Sequence, residues 1–229
     1  MLESNKIILK EKNMSNITTV YLIRHSKKLS NDLVNHENNN EYYQNRREKI
    51  VLSIEGEKRA ELLNKEKEFD NIDIIYSSNY ARAIQTAKYF AESRNMIIHV
   101  DERFNERRLG IVQQEDIYIK QYYDENLKNP DGESQKEVRD RMKAGFQEVI
   151  NNNRGKNIAI FTHGAAITFL LMNWCELEYI HEDKHKCLSF NNKIIVDKIF
   201  DAPEVFKLQI NDKNEILSIE NLEFSSLEC

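Results

Sequence analysis

Val20-Tyr21-Leu22-Ile23-Arg24-His25 is an apolar run that ends on an arginine and a histidine. Far downstream, Ile158-Ala159-Ile160-Phe161 runs into Thr162-His163-Gly164 in the same way. Both runs are short, rich in β-branched residues and bounded by polar ones, the signature of buried strands. In an open α/β sheet the ligand crevice lies just past the carboxyl ends of the strands. The two histidines can therefore face one another across a site although the chain separates them widely. Taken singly, each is a weak signal, because a histidine after a strand often serves only structure.

Further strand signals stand at 72–76 and 97–100, and helical signals alternate with them. Ser53 can cap a helix running to about residue 69. Residues 81–94 read as the next helix. Ser134-Gln135-Lys136-Glu137 is a capping box, and the helix it starts carries Val138, Met142, Phe146, Val149 and Ile150 on one face. Residues 165–174 are apolar nearly all round, as in a buried helix. This alternation predicts a three-layer α/β/α architecture with a mostly parallel central sheet. At the far end, 206–210 and 216–219 flank Asn211-Asp212-Lys213-Asn214-Glu215 and read as a terminal hairpin.

The 229 residues fit one α/β domain at 18–229, preceded by a polar N-terminal extension at 1–17. Two polar segments, near 29–50 and 112–131, interrupt the pattern. A net charge of −5 argues against general nucleic-acid affinity, which needs a basic face. No uninterrupted apolar segment is long enough to cross a membrane, and the first residues lack the features of a secretory signal. The three cysteines, Cys175, Cys187 and Cys229, form no Cys-x-x-Cys pair and fit a reducing cytoplasm. Cys175 reads as core and Cys229 as an exposed thiol. His181-Glu182-Asp183-Lys184-His185 is the nearest approach to metal-ligand spacing, since two histidines four apart could bind zinc on a helix. The expectation is nonetheless no metal and no cofactor.

Two more blocks accompany the strand-end histidines. Tyr76-Ser77-Ser78 leads through Arg82-Ala83 to Gln85-Thr86-Ala87, a third strand end followed by a helix carrying an arginine. Asn105-Glu106-Arg107-Arg108-Leu109-Gly110 supplies an acid. In this order the four blocks resemble the histidine phosphatase superfamily, with its phosphoglycerate mutase-like fold, in the branch of small bacterial phosphatases. The resemblance covers residues 18–224. In that family, insertions such as those near 29–50 and 112–131 form a cap over the site. Here Tyr122 and Tyr123 either line a pocket mouth or sit half-buried on a surface helix.

The resemblance implies a specific chemistry. A phosphate monoester is a dianion near neutral pH, so its attack needs fixed positive groups and N–H donors. Arg24 and Arg82 suit this, because guanidinium groups grip phosphate oxygens in a planar fork. His163, if protonated, adds a third positive group, and the backbone from Gly164 onward offers helix N-terminal N–H groups. By resemblance His25 is the nucleophile that becomes phosphohistidine. Glu106 matches the family's proton donor; read alone, it would pair with Arg107 or Arg108. Asn31 stands where many members carry a phosphate-contacting asparagine. Gly132-Glu133-Ser134 with Val138 and Arg141 reads as a turn and helix cap.

The chain also departs from the family pattern. Ser26 replaces a frequent glycine, and Thr168 stands where arginine is common. Lys27 and Lys28 either raise the potential at the mouth, favouring a multiply charged substrate, or are solvated. The leading expectation is a metal-independent phosphomonoesterase acting on a phosphorylated small molecule. The alternatives are a phosphoglycerate mutase-type phosphotransferase and a catalytically retired module that binds phosphorylated ligands. The mutase reading is weakened because the region after Glu106 is short and acidic (Gln114-Glu115-Asp116) rather than basic.

Overall fold

The computed structural model describes residues 17–30, 47–111 and 117–227. Residues 1–16, Cys229, Asn31 with most of the first expected insertion, and the start of the second lie outside them. The chain forms β1 (Thr18–Arg24), α1 (Ile54–Asn64), β2 (Ile74–Ser77), α2 (Ala81–Arg94) and β3 (Ile98–Val100). It continues with α3 (Ile117–Tyr123), α4 (Gln135–Asn152), β4 (Asn157–Thr162) and α5 (Gly164–Leu171). Five strands complete it: β5 (Glu176–Ile180), β6 (Lys186–Phe190), β7 (Lys193–Lys198), β8 (Val205–Ile210) and β9 (Ile216–Leu222).

Six strands make the central sheet in the order β3-β2-β4-β1-β8-β9. β3, β2, β4 and β1 run parallel, and the terminal hairpin β8–β9 adds antiparallel strands beside β1. Side chains alternate across the sheet with the period of two that a pleated strand imposes. Val20, Leu22, Ile158 and Ile160 point to one core, with α4 and α5. Tyr21, Ile23, Ala159 and Phe161 point to the other, with residues of α1 and α2. The expected three-layer arrangement with a mostly parallel sheet is therefore the observed one.

Local chemistry sets the helix starts. The Ser53 hydroxyl accepts from the Gly56 amide, and Ser134 and Glu137 form the predicted reciprocal capping box. Such a cap contributes about 1 kcal/mol. At Gly56 a Cβ would stand 1.9 Å from the Lys27 carbonyl oxygen. A glycine there lets α1 start directly against the segment that follows His25, which fixes the backbone after the first histidine.

The second sheet, antiparallel in the order β5-β6-β7, has no counterpart in the sequence reading. It packs Ile180, Leu188 and Val196 into the same core as α4 and α5. Its outer strands carry too few buried residues to stand out: β7 and β5 each have a single one. His181–His185, considered above as a possible helical metal pair, is instead the β5–β6 turn. There His185 Nε2 pairs with Asp197 Oδ1 at 2.6 Å.

Candidate active site

β1 and β4 are adjacent and parallel, with Arg24 in register with Thr162. The residues that follow them therefore emerge side by side at one end of the sheet. The His25 and His163 rings lie with centroids 5.1 Å apart, edge to face. Both are buried. A cavity of about 850 Å³ opens there, lined among others by Arg24, His25, Arg82, Glu106 and Gly164. The first turn of α2 adds Arg82, whose Nη2 donates to His163 Nδ1 at 3.1 Å.

Hydrogen bonding fixes both imidazole tautomers. His25 Nδ1 lies 2.7 Å from the Ser26 carbonyl oxygen, which can only accept. Nδ1 therefore carries the proton, and Nε2 keeps its lone pair. His163 Nδ1 accepts from Arg82, so its proton is on Nε2, 2.8 Å from Ser78 Oγ. Ser78 in turn donates to Asn105 Oδ1 at 2.8 Å. Ser78 and Asn105 were not singled out in the sequence, although both lie within its motif blocks.

The two rings are neutral. Burial, followed by the nearby Arg82 and Arg24 charges, drives the His25 pKa well below the usual histidine value. Burial and Arg82 do the same to His163. The condition under which His163 would add a third positive charge is therefore not met here: an imidazole accepting from a guanidinium has no room for a second proton. Because both folded pKa values are depressed, the stability these groups contribute is present above pH 6.5. It is lost as pH falls below that value, where only the unfolded chain takes up the protons. In proton–carbon NMR spectra, both ring resonances should keep their neutral positions between pH 7.5 and 5.5. An inflection near 6.5 for either would contradict this electrostatic picture.

The arginines are held rigidly. Arg24 Nη1 donates to the Phe200 and Asp201 carbonyls at 2.6 and 2.8 Å. Arg82 Nη1 donates to the Arg47 carbonyl at 2.6 Å. Burial lowers the pKa of both, that of Arg82 to about 10, so both stay charged at neutral pH. The Nε atoms of Arg24, Arg82 and Arg107 are buried without a hydrogen-bond partner, and all three side chains line the cavity. Buried donors of this kind are costly unless a ligand satisfies them.

Among the described residues, Glu106 forms no ion pair with a guanidinium. Its Oε1 accepts from the backbone amides of Arg107 and Ala166, at 2.9 and 3.2 Å. One N-terminal amide of α5 is thereby taken by the carboxylate, while Gly164 and Ala165 remain in the cavity wall. Arg108 instead binds the Asp131 carbonyl, and its amide donates to Glu133. Glu133 also pairs with Arg141, whose guanidinium holds the Arg103 and Asn105 carbonyls. The block around 132–141 therefore braces the loop bearing Glu106, in line with its structural reading.

Other expectations divide. Tyr122 is buried against Phe169, and Tyr123 is exposed; it is Tyr118, one turn earlier on α3, that lines the cavity. Lys27 pairs with Glu55, whereas Lys28 is an exposed residue of the cavity wall. Arg107 and Lys186 are cavity residues that the sequence reading did not identify. Arg107 had a signal, since it adjoins Glu106. Lys186 had none, because it arrives on β6.

Among the described residues, no group of three or more His, Cys, Asp or Glu side chains converges to hold a metal, and no helix is long and apolar enough to cross a membrane. The sequence pattern of the histidine phosphatase superfamily (branch 1) matches residues 20–196. A Yersinia enterocolitica protein named "probable phosphoglycerate mutase GpmB" is 28% identical over 131 residues, which is 52% of this chain and 61% of that protein. The chain thus spans somewhat under two thirds of that relative's length. Among solved structures, phosphoglycerate mutase from Bacillus anthracis str. Sterne superposes with a TM-score of 0.65 at 20% identity, over 95% of this chain and 98% of that one. A mycobacterial glucosyl-3-phosphoglycerate phosphatase in complex with inorganic phosphate gives 0.62 at 17%, over 91% and 98%. These structural likenesses establish a shared fold.

Proposed function

Since the chain belongs to the histidine phosphatase superfamily, branch 1, we propose that it is a metal-independent phosphomonoesterase working through a phosphohistidine on His25. The observation that carries this reading is the state of His25. Its Nδ1–H is held by the Ser26 carbonyl, its ring is kept neutral by burial and two arginines, and Nε2 is left as the nucleophilic nitrogen. A neutral imidazole is the form that can attack phosphorus.

In the first half-reaction Nε2 bonds to phosphorus, and the bond from phosphorus to the ester oxygen breaks. Arg24 and Arg82 hold the transferring oxygens, whose negative charge they offset. Glu106 delivers a proton to the leaving alkoxide. In the second, Glu106 takes a proton from water, whose oxygen attacks phosphorus as the bond to Nε2 breaks. Inorganic phosphate then leaves. His163 acts as a neutral spacer that orients Arg82, with Gly164 keeping the helix terminus close to the phosphate. Asn31, beyond the described residues, is proposed as a further phosphate contact. The reading places this chemistry in one domain and in the cytoplasm.

The positive charge needed at phosphorus comes from fixed guanidinium groups. Phosphate release from a chromogenic aryl phosphate should therefore survive an excess of chelator at full rate. A loss restored by one divalent ion would overturn the metal-independent reading, and no release at all would overturn the hydrolase. A second reading, a mutase-type phosphotransferase, is favoured by the name of the Yersinia relative. Interconversion of 2- and 3-phosphoglycerate faster than their hydrolysis would select it.

A further inference from the structure

Lys186 is 4% exposed, yet it lines the catalytic cavity. Its only hydrogen bond among the described residues runs to Thr168 Oγ1, at 3.1 Å. The ammonium also lies 4.0 Å from the Phe200 ring centroid. No carboxylate among the described residues forms an ion pair with it. The buried acid nearby, Glu204, is already engaged by Lys198, Asn221 and the Asp201 amide. Burying a charged ammonium with one neutral acceptor is unfavourable. Burial, then the charges of Arg24 and Lys184, lower its pKa to about 8.

Position makes this placement functional. Thr168 lies one turn along α5 from Gly164, whose carbonyl its hydroxyl also bonds. One turn advances about 5 Å along the helix. Lys186 thus meets α5 one turn from the Gly164 terminus, in the wall of the same cavity that holds Arg24, His25 and Glu106. On β6 it shares a face with Leu188, which is anchored in the core. The residue is buried among its neighbours and lines the cavity wall. Lys184, in the β5–β6 turn, lines the same cavity.

We propose that Lys186, supported by Lys184, binds a second anionic group on the substrate, a carboxylate or a second phosphate held a few bonds from the ester oxygen. This rests on the phosphomonoesterase reading for the identity of the first group, and it narrows the substrate class to doubly anionic phosphate esters. The vacant hydrogen-bonding capacity of the ammonium and the net positive wall are then satisfied together when such a substrate binds.

The test is calorimetric and needs no turnover. The His25→Ala protein is titrated with propyl phosphate, 3-phosphonooxypropanoate and propane-1,3-diol bisphosphate, with and without Lys186→Met. The second anion should tighten binding about tenfold or more over propyl phosphate, the scale of a charge-assisted hydrogen bond. Lys186→Met should reduce that preference to within about twofold. Preference for the carboxylate over the bisphosphate, or the reverse, identifies the second group. The methionine keeps the stem, and because it removes a buried, unpaired charge, the melting temperature should hold or rise; Lys186→Gln serves as a second variant. An equal preference in parent and variant, no preference in the parent, or a fall in melting temperature with binding unchanged would each overturn the assignment. Doubly anionic ligands that bind with the expected preference but are not hydrolysed by the wild-type protein would instead refute the hydrolase and leave the Lys186 site standing.

Discussion

Replacing His25 by alanine is expected to reduce phosphate release by roughly 10⁴-fold or more, the scale on which loss of a covalent nucleophile is felt. The same protein should still bind phosphate, because Arg24 and Arg82 are anchored by main-chain carbonyls of Phe200, Asp201 and Arg47 and not by the imidazole. In the unsubstituted enzyme, brief reaction with a radiolabelled monoester followed by denaturation should trap a phosphoenzyme. A phosphorus–nitrogen bond is cleaved by acid and survives base, so the label should be lost at low pH and retained at high pH. A label with the opposite stability would indicate an acyl phosphate on a carboxylate such as Glu106. Full activity in His25→Ala would overturn the mechanism.

Glu106→Gln should lower turnover of an alkyl phosphate by roughly 10²-fold or more, with little change in vanadate affinity. The amide keeps the shape and an acceptor oxygen for the Arg107 and Ala166 amides, but it has no transferable proton. An aryl phosphate with an acidic leaving group needs less protonation, so its rate should fall much less. The diagnostic quantity is the difference between the two esters. Equal losses would show that Glu106 positions the start of α5 rather than acting as the acid. Weakened vanadate binding in the variant would point the same way.

Much of this was legible in local patterns. The runs at Val20–Ile23 and Ile158–Phe161 are short and β-branched, and each must be buried on both faces, which is the condition for central parallel strands. The capping box at Ser134 and Glu137 marked the start of α4 from hydrogen-bonding geometry alone. Arg24, His25, Arg82, Glu106 and His163 were singled out through four ordered motif blocks and the family they resemble, each near a strand end or helix start. Ionisation was not legible in the same way. The neutrality of His163 follows from burial and from a guanidinium contributed by another element, 81 positions away. Tyr118, not its neighbours Tyr122 and Tyr123, faces the cavity because the rotation of α3 is set by packing on Phe169.

By itself, then, the sequence determined the alternation of strands and helices, the mostly parallel sheet and the set of groups available at its carboxyl edge, because these depend on periodicity and short-range hydrogen bonding. Only the tertiary structure decided how those groups are charged and what else joins them. Register between β1 and β4 brings the two histidines to ring contact. Desolvation there, with the neighbouring arginines, keeps both rings neutral. The β5-β6-β7 sheet then sets Lys186 into the cavity wall, from a segment whose own pattern carries no sign of a site. Burial and electrostatic coupling are properties of neighbours in space, and these neighbours come from elements far apart along the chain.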